Sequence, residues 1–125
     1  FTRVGLSGAD MGSAYLLPRI VGLGRATELL VLGDKVSAEE AERIGLARVV
    51  DNLPAAAQAL ARRLADGPAL AYATTKVMLT KELDMSLGSA IEMEALTQAL
   101  LMQTSDHREF YAAWTEGRQP QWSGR

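Results

Sequence analysis

Apolar and polar positions fall in blocks along this chain, and their spacing predicts the elements. "TRVGL", Thr2 to Leu6, is short and partly alternating, which predicts a strand. After a glycine-rich turn, Ala14, Tyr15, Leu16, Leu17 and Ile20 form an apolar block, and Pro18 within it predicts a short helix ending near the proline. "GLGRATELLVLG" sets Ala26, Leu29 and Leu30 at helical spacing, with Gly33 as the C-terminal stop. "SAEEAERIGL" carries a capping box: Ser37 is expected to accept from the Glu40 amide while the Glu40 side chain reaches back to Ser37. Ala38, Ala41 and Ile44 line the face expected to be buried, Gly45 ends that helix, and "LARVVD" reads as a second short strand.

Beyond Asp51 the pattern is helical. Pro54 suits a first helical position, and Ala57, Leu60, Ala61 and Leu64 make a stripe with Gln58, Arg62 and Arg63 outside it. Asp66-Gly67-Pro68 breaks the chain, and a helix is expected over 69–83, carrying Lys76 and Lys81. From Leu87 to Met102 apolar residues fall on nearly every side of the helical wheel, so this helix is expected to be covered on most sides by more than its own neighbours. Asp106 and Glu109 resemble another capping box, with Asp in place of Ser, and Phe110, Ala113 and Trp114 share one face of the last helix. "GRQPQWSGR" reads as a loop or tail.

Composition narrows the class. In 125 residues, 48% hydrophobic and 22% charged, the chain has the make-up of one globular domain. Thirteen basic against 15 acidic residues leave no basic signature for nucleic acid. Without cysteine there are no disulfides, thiolate metal sites or cysteine nucleophiles. No apolar run is long enough to span a membrane, so a soluble protein is expected, and the absence of cysteine fits a reducing cytoplasm. The chain starts at Phe1, without methionine, which reads as a processed product or a fragment of something longer.

The glycine-rich turn holds the best candidate chemistry. Gly5, Gly8 and Gly12 do not match the dinucleotide fingerprint but suit a tight turn or close approach of a ligand. Asp10, two residues before Gly12, reads as a helix N-cap or as a general acid or base beside a cleft. His107, the one histidine, sits at the start of the last helix with no nucleophile motif, a surface or cap-adjacent place. One histidine without clustered carboxylates argues against a metal. Glu39, Glu40 and Glu42 read as a solvated face, and Arg62, Arg63, Lys76, Lys81 and Arg118 as exposed cations or contacts for phosphate.

Four stretches carry a family resemblance. "VGLSGADMGSAYLLPRIVG", "GRATELLVLGDKVSAEEAERIGLARVV", "PALAYATTKVML" and "TSDHREFYAAWTEGRQPQWSGR" together resemble the C-terminal half of the crotonase superfamily, the enoyl-CoA hydratase/isomerase family. The second and fourth are the most specific. The resemblance implies part of an α/β spiral of β-β-α units, the ClpP/crotonase-like fold, with a helical trimerisation region. This stretch is then mainly α with one or two short strands. Residues 1–51 would end the core and 52–125 would form the helical oligomerisation region of a trimer or hexamer.

The implied enzyme is a lyase or isomerase acting on acyl-CoA thioesters in fatty-acid metabolism and β-oxidation. It would work by oxyanion-hole stabilisation of an enolate, with no cofactor beyond the coenzyme A of the substrate and with neither nucleic acid nor membrane as partner. The oxyanion N–H groups, the CoA-binding strands and one catalytic glutamate are expected in an N-terminal half outside this sequence. A second glutamate of the hydratases aligns with Phe1, which transfers no proton. Asp10 matches, with one extra residue in the turn, the catalytic aspartate of the dienoyl-CoA isomerase branch. Met11 and Gly12 would flank the acyl pocket, and Phe110 and Trp114 would line a neighbour's pocket. A lysine that approaches CoA phosphates in the family is Gly117 here, leaving Arg118 as its substitute. The other reading is a non-catalytic crotonase-like fragment or assembly subunit.

Overall fold

A computed structural model describes residues 1–125, and the chain is mainly α, as expected. It divides into two units, Phe1–Asn52 and Leu53–Arg125. Neither predicted strand forms, because local partners take the backbone donors that a ladder would need. At the N-terminus Val4 and Leu6 donate to the Phe1 carbonyl and Gly5 to Thr2, making a 3₁₀ turn over Thr2–Val4 that closes on Gly5 at φ 80. In "LARVVD" the Leu46 and Ala47 amides bond back to the Ala41 carbonyl, and the Val49 amide donates to Glu42 Oε1 at 2.9 Å.

The first unit contains α1 (Ser13–Val21), α2 (Leu23–Leu32) and α3 (Ala38–Arg43). Helix α1 continues through Pro18 rather than ending at it. Proline there removes one backbone donor. The carbonyl that loses its helical partner is that of Ala14; separately, the Arg19 guanidinium donates to the Tyr15 carbonyl at 2.8 Å while lying 3.6 Å from the centre of the Tyr15 ring. Gly22 (φ 83) is the whole connection to α2: its amide closes α1 on Pro18 and its carbonyl starts α2 by accepting from Ala26. The two helices pack together at Ala26, which is 1% exposed. Gly33 ends α2 in the left-handed conformation.

Ser37 caps α3 as predicted, accepting from the Glu40 amide at 3.2 Å. The reciprocal half of the box is absent. The Glu40 carboxylate instead accepts from Arg25 at 3.0 Å and from Arg43 Nε at 2.6 Å, because two guanidiniums compete for it. Those cations, Arg43 foremost, hold its carboxyl below the usual carboxylate range. Of the expected α3 face, Ala41 is buried, Ile44 half-buried and Ala38 exposed.

The second unit contains α4 (Leu53–Ala65), α5 (Ala69–Lys81), α6 (Leu87–Leu101) and α7 (Ser105–Glu116). Pro54 is the second residue of α4, not the first. Helix α5 tightens into a 3₁₀ turn at Glu82–Asp84, short of the predicted end at residue 83. Gly67, in the break before α5, lies under the Tyr72 ring. Serine and threonine start the later helices: Ser86 accepts from the Ser89 amide and Thr104 from the His107 amide. So Asp106 is not the cap of α7. The stripe on α4 is not covered within the chain, with Leu60 and Leu64 exposed, and on α6 Leu87 is 77% and Leu100 72% exposed.

Gly8 seats the glycine-rich turn on α2, since a Cβ there would overlap the Leu30 carbonyl. Gly24, on α2, faces open space at an ordinary backbone angle. Gly8→Ala is therefore expected to destabilise by about 1–3 kcal/mol through overpacking. Gly24→Ala is expected to stabilise by about 0.5 kcal/mol through the unfolded chain. Chemical denaturation of the two variants beside the parent measures both signs.

Candidate functional site

The candidate residues divide between the units: Asp10, Met11 and Gly12 belong to the first, Phe110, Trp114 and Arg118 to the second. In the first unit, Ser13 organises the turn. Its hydroxyl accepts from the Asp10 amide at 3.0 Å and donates to the Gly8 carbonyl at 2.9 Å. The Ser13 amide donates to the Asp10 carbonyl, also at 2.9 Å. The backbone of Asp10 is held on both sides by this one serine, while its carboxylate stands exposed.

The residue capping α1 is Gly12 (φ 86), with no side-chain cap bond, so of the two readings of Asp10 the N-cap is excluded. The carboxylate stands exposed just before α1, near the positive end of that helix's dipole. Met11 is 96% exposed and, at φ 46, is the one residue other than glycine with a positive φ. For a residue with a Cβ that conformation costs about 1–2 kcal/mol. The strained residue thus lies between the candidate carboxylate and the helix start. Behind the turn, an apolar groove of about 400 Å³ runs between α1 and α2, lined by Gly8, Ala14, Pro18, Ala26 and Leu30 among others.

In the second unit, α7 carries Phe110 and Trp114 one turn apart on the side of Ala113, with unequal cover. Ala113 is wholly buried, Phe110 is half exposed and Trp114 is 71% exposed. Phe110 stacks on Trp122, with ring centres 6.5 Å apart and planes 8° apart, and Trp114 lies 6.4 Å from Tyr111. Leu70, Leu101, Met102, Phe110 and Trp122 wall an apolar groove of about 260 Å³, with His107 and Asp106 on its polar side. The His107 side chain is exposed, and its amide serves the cap of α7. Lys76, Lys81, Arg62 and Arg63 are exposed.

Sequence reasoning missed the device that gives this unit its end. Residues 117–125 are not a free tail but fold back along α7. Arg118 pairs with Glu109 through two parallel bonds, Nη1 to Oε1 and Nη2 to Oε2 (the latter 3.1 Å), and its Nε donates to Glu116. Glu109 also accepts from the Gln121 amide at 2.8 Å. Asp106, buried, accepts from the Ser123 amide at 2.7 Å, the Ser123 hydroxyl at 2.8 Å and the Gly124 amide at 3.0 Å. The Arg118 bond and the Gln121 amide hold the Glu109 carboxyl down at about 2. The Ser123 amide, foremost, lowers that of Asp106. The Asp-x-x-Glu spacing was the visible signal, but it reads as a cap until the return of the chain is known. No group of His, Asp and Glu side chains is arranged to hold a metal ion. No helix is long and apolar enough to cross a membrane.

The enoyl-CoA hydratase/isomerase family model matches residues 1–125. A "Probable enoyl-CoA hydratase" of Rhodobacter capsulatus is 37% identical over 130 residues, covering 100% of this chain and 49% of that protein. The 1,2-epoxyphenylacetyl-CoA isomerase of Escherichia coli K12 is 35% identical over 128 residues, covering 100% and 48%. Among solved structures, one described as an enoyl-CoA hydratase of Streptomyces coelicolor A3(2) superposes with a TM-score of 0.96 at 64% identity, covering 100% of this chain and 46% of its own. The chain spans about half the length of the relatives it matches.

Both carboxyls that hold residues 117–125 sit below their unfolded values, so their contribution is present above about pH 4.5 and is lost as pH falls through the folded values. In a Trp114→Phe background, Trp122 emission is expected to stay constant from neutrality to about pH 4.5. It is then expected to shift to the red as the pH approaches about 2, where Glu109 titrates. A fluorescence titration reads this directly.

Proposed function

The chain belongs to the enoyl-CoA hydratase/isomerase family, and on that premise we propose that it supplies an acid–base residue and an assembly face to an enzyme acting on acyl-CoA thioesters. The observation that carries the reading is the Asp10 carboxylate, exposed beside α1 on a turn whose backbone Ser13 and Gly8 hold in place.

In this mechanism two backbone N–H groups, outside residues 1–125, hold the thioester oxygen and stabilise the enolate. Asp10 moves the proton at carbon. Addition of water and migration of a double bond share that enolate and differ in where the proton is returned. Met11 and Gly12 lie against the acyl portion of the substrate. Phe110 and Trp114 offer aromatic faces to substrate, in keeping with their exposure on α7. A cytoplasmic place in fatty-acid oxidation fits such a reaction. The apolar surface of α6 serves self-association into a trimer or hexamer.

A second reading has one observation in its favour. Phe1 stands where the resemblance to hydratases expects a glutamate. On that reading the protein is a non-catalytic assembly subunit.

Asp10→Asn separates the two. Turnover of crotonyl-CoA, by hydration or isomerisation, is expected to fall by about 10²–10⁴-fold with little change in KM. Unchanged turnover in an active protein would remove Asp10 from the mechanism, and no turnover by the parent would favour the assembly role. Light scattering is expected to give a multiple of the chain mass, and Leu96→Asp with Leu100→Asp on exposed α6 is expected to lower it. A monomeric parent would count against the assembly face.

A further inference from the structure

A guanidinium that recognises phosphate must present unspent N–H groups and positive charge. Arg118 has little of either to offer. It makes four hydrogen bonds: two to Glu109, one to Glu116 and one to the Gln119 carbonyl. Two carboxylates facing one guanidinium leave the cluster net negative, which disfavours an approaching phosphate. Glu109 in turn holds the Gln121 amide, one residue before Trp122.

We infer that Arg118 is a positioning residue, which orients Glu109 so that residues 117–125 stay on α7 and Trp122 stays stacked on Phe110. The stacked pair forms one wall of the groove whose other walls are Leu70, Leu101 and Met102. Asp106 makes a second, independent attachment at Ser123 and Gly124. The Trp122 ring is thus bracketed by carboxylate-held amides on either side. Residues 117–125 act as a clasp, and the first turn and middle of α7 are the part to which they are fastened. The influence of Arg118 on substrate rests on the function proposed above, whereas the clasp rests on the geometry alone.

The two roles of Arg118 give opposite results for its partner. Amide exchange at Gln121, Ser123 and Gly124, followed by NMR, reads the clasp without any substrate. Arg118→Ala and Glu109→Ala are each expected to speed exchange at Gln121 by tenfold or more, with a red shift of Trp122 emission. The double variant is expected to go no further than Glu109→Ala alone, because the two residues act as one unit. Arg118→Lys keeps the charge but loses the bidentate fork, and it is expected to leave Gln121 exchange fast.

In turnover of crotonyl-CoA, KM is expected to rise for both Arg118→Ala and Glu109→Ala while kcat stays within about twofold. A phosphate ligand would instead raise KM for Arg118→Ala alone and be restored by lysine, and that pattern would overturn the inference. Unchanged exchange at Gln121 in Arg118→Ala would overturn it as well. Should the parent show no turnover, the proposed function fails, and the amide measurements still decide the clasp. Should Arg118→Ala unfold α7, the lysine variant and Glu109→Ala read the same amides.

Discussion

Apolar side chains leave water only where another surface covers them, and most of this structure follows from how little cover its helices give one another. The apolar residues classed as buried are three alanines, Ala26, Ala41 and Ala113. A leucine or isoleucine taken fully out of water contributes roughly 1.5–3 kcal/mol. Large side chains on every one of α1, α2, α4, α5, α6 and α7 remain substantially exposed. Within residues 1–125 the limits of the helices are set by caps and polar bonds, and broad apolar faces in each unit are exposed. A helix like α6, apolar on all sides, is stable where such faces meet further polypeptide.

Polar bonds and glycines fix the turns between the helices. Ser37, Ser86 and Thr104 each place a hydroxyl where a helix begins and leaves backbone donors over, and Ser13 fixes the turn that precedes α1. Glycine closes the other ends, at Gly22, Gly33 and Gly117. Between these fixed points, small contacts set the geometry: Ala26 in the seam of α1 and α2, and Gly8 against the Leu30 carbonyl. The same economy holds in the second unit, where Asp106 and Glu109 fasten the end of the chain to α7 with amide bonds rather than with apolar area.

Helix content and most helix limits were legible in the sequence because they depend on local features: the spacing around Ala26, the Ser37 cap and the glycine after α2. The failures were of another kind. A strand needs a partner, and "TRVGL" and "LARVVD" carry strand-like patterning whose amides find local acceptors instead. Pro18 signals a helix end from its own covalent structure, yet its fixed φ is compatible with a helix and α1 runs on to Val21. Glu40 had a capping partner within three residues, and Arg25, far along the chain, competes for it. The same holds for the candidate site. Asp10 and the turn were visible in the glycine pattern. The use of Asp106 and Glu109 was not, since it depends on residues 118–124 returning to α7.

The seat of Gly8 on Leu30 has a consequence for insertions and deletions. Leu30 lies in the last turns of α2, which runs between the single-residue hinge at Gly22 and the stop at Gly33. One residue added to or removed from that helix shifts every later position by about 1.5 Å along its axis and rotates it by about 100°. The Leu30 carbonyl would then no longer lie beneath Gly8, and the turn that carries Asp10 would lose its footing. Chain length between Gly22 and Leu30 is thus as restricted as residue identity at Gly8. Added length after Gly33, where the connection to Ser37 is irregular, leaves the Leu30 carbonyl in place.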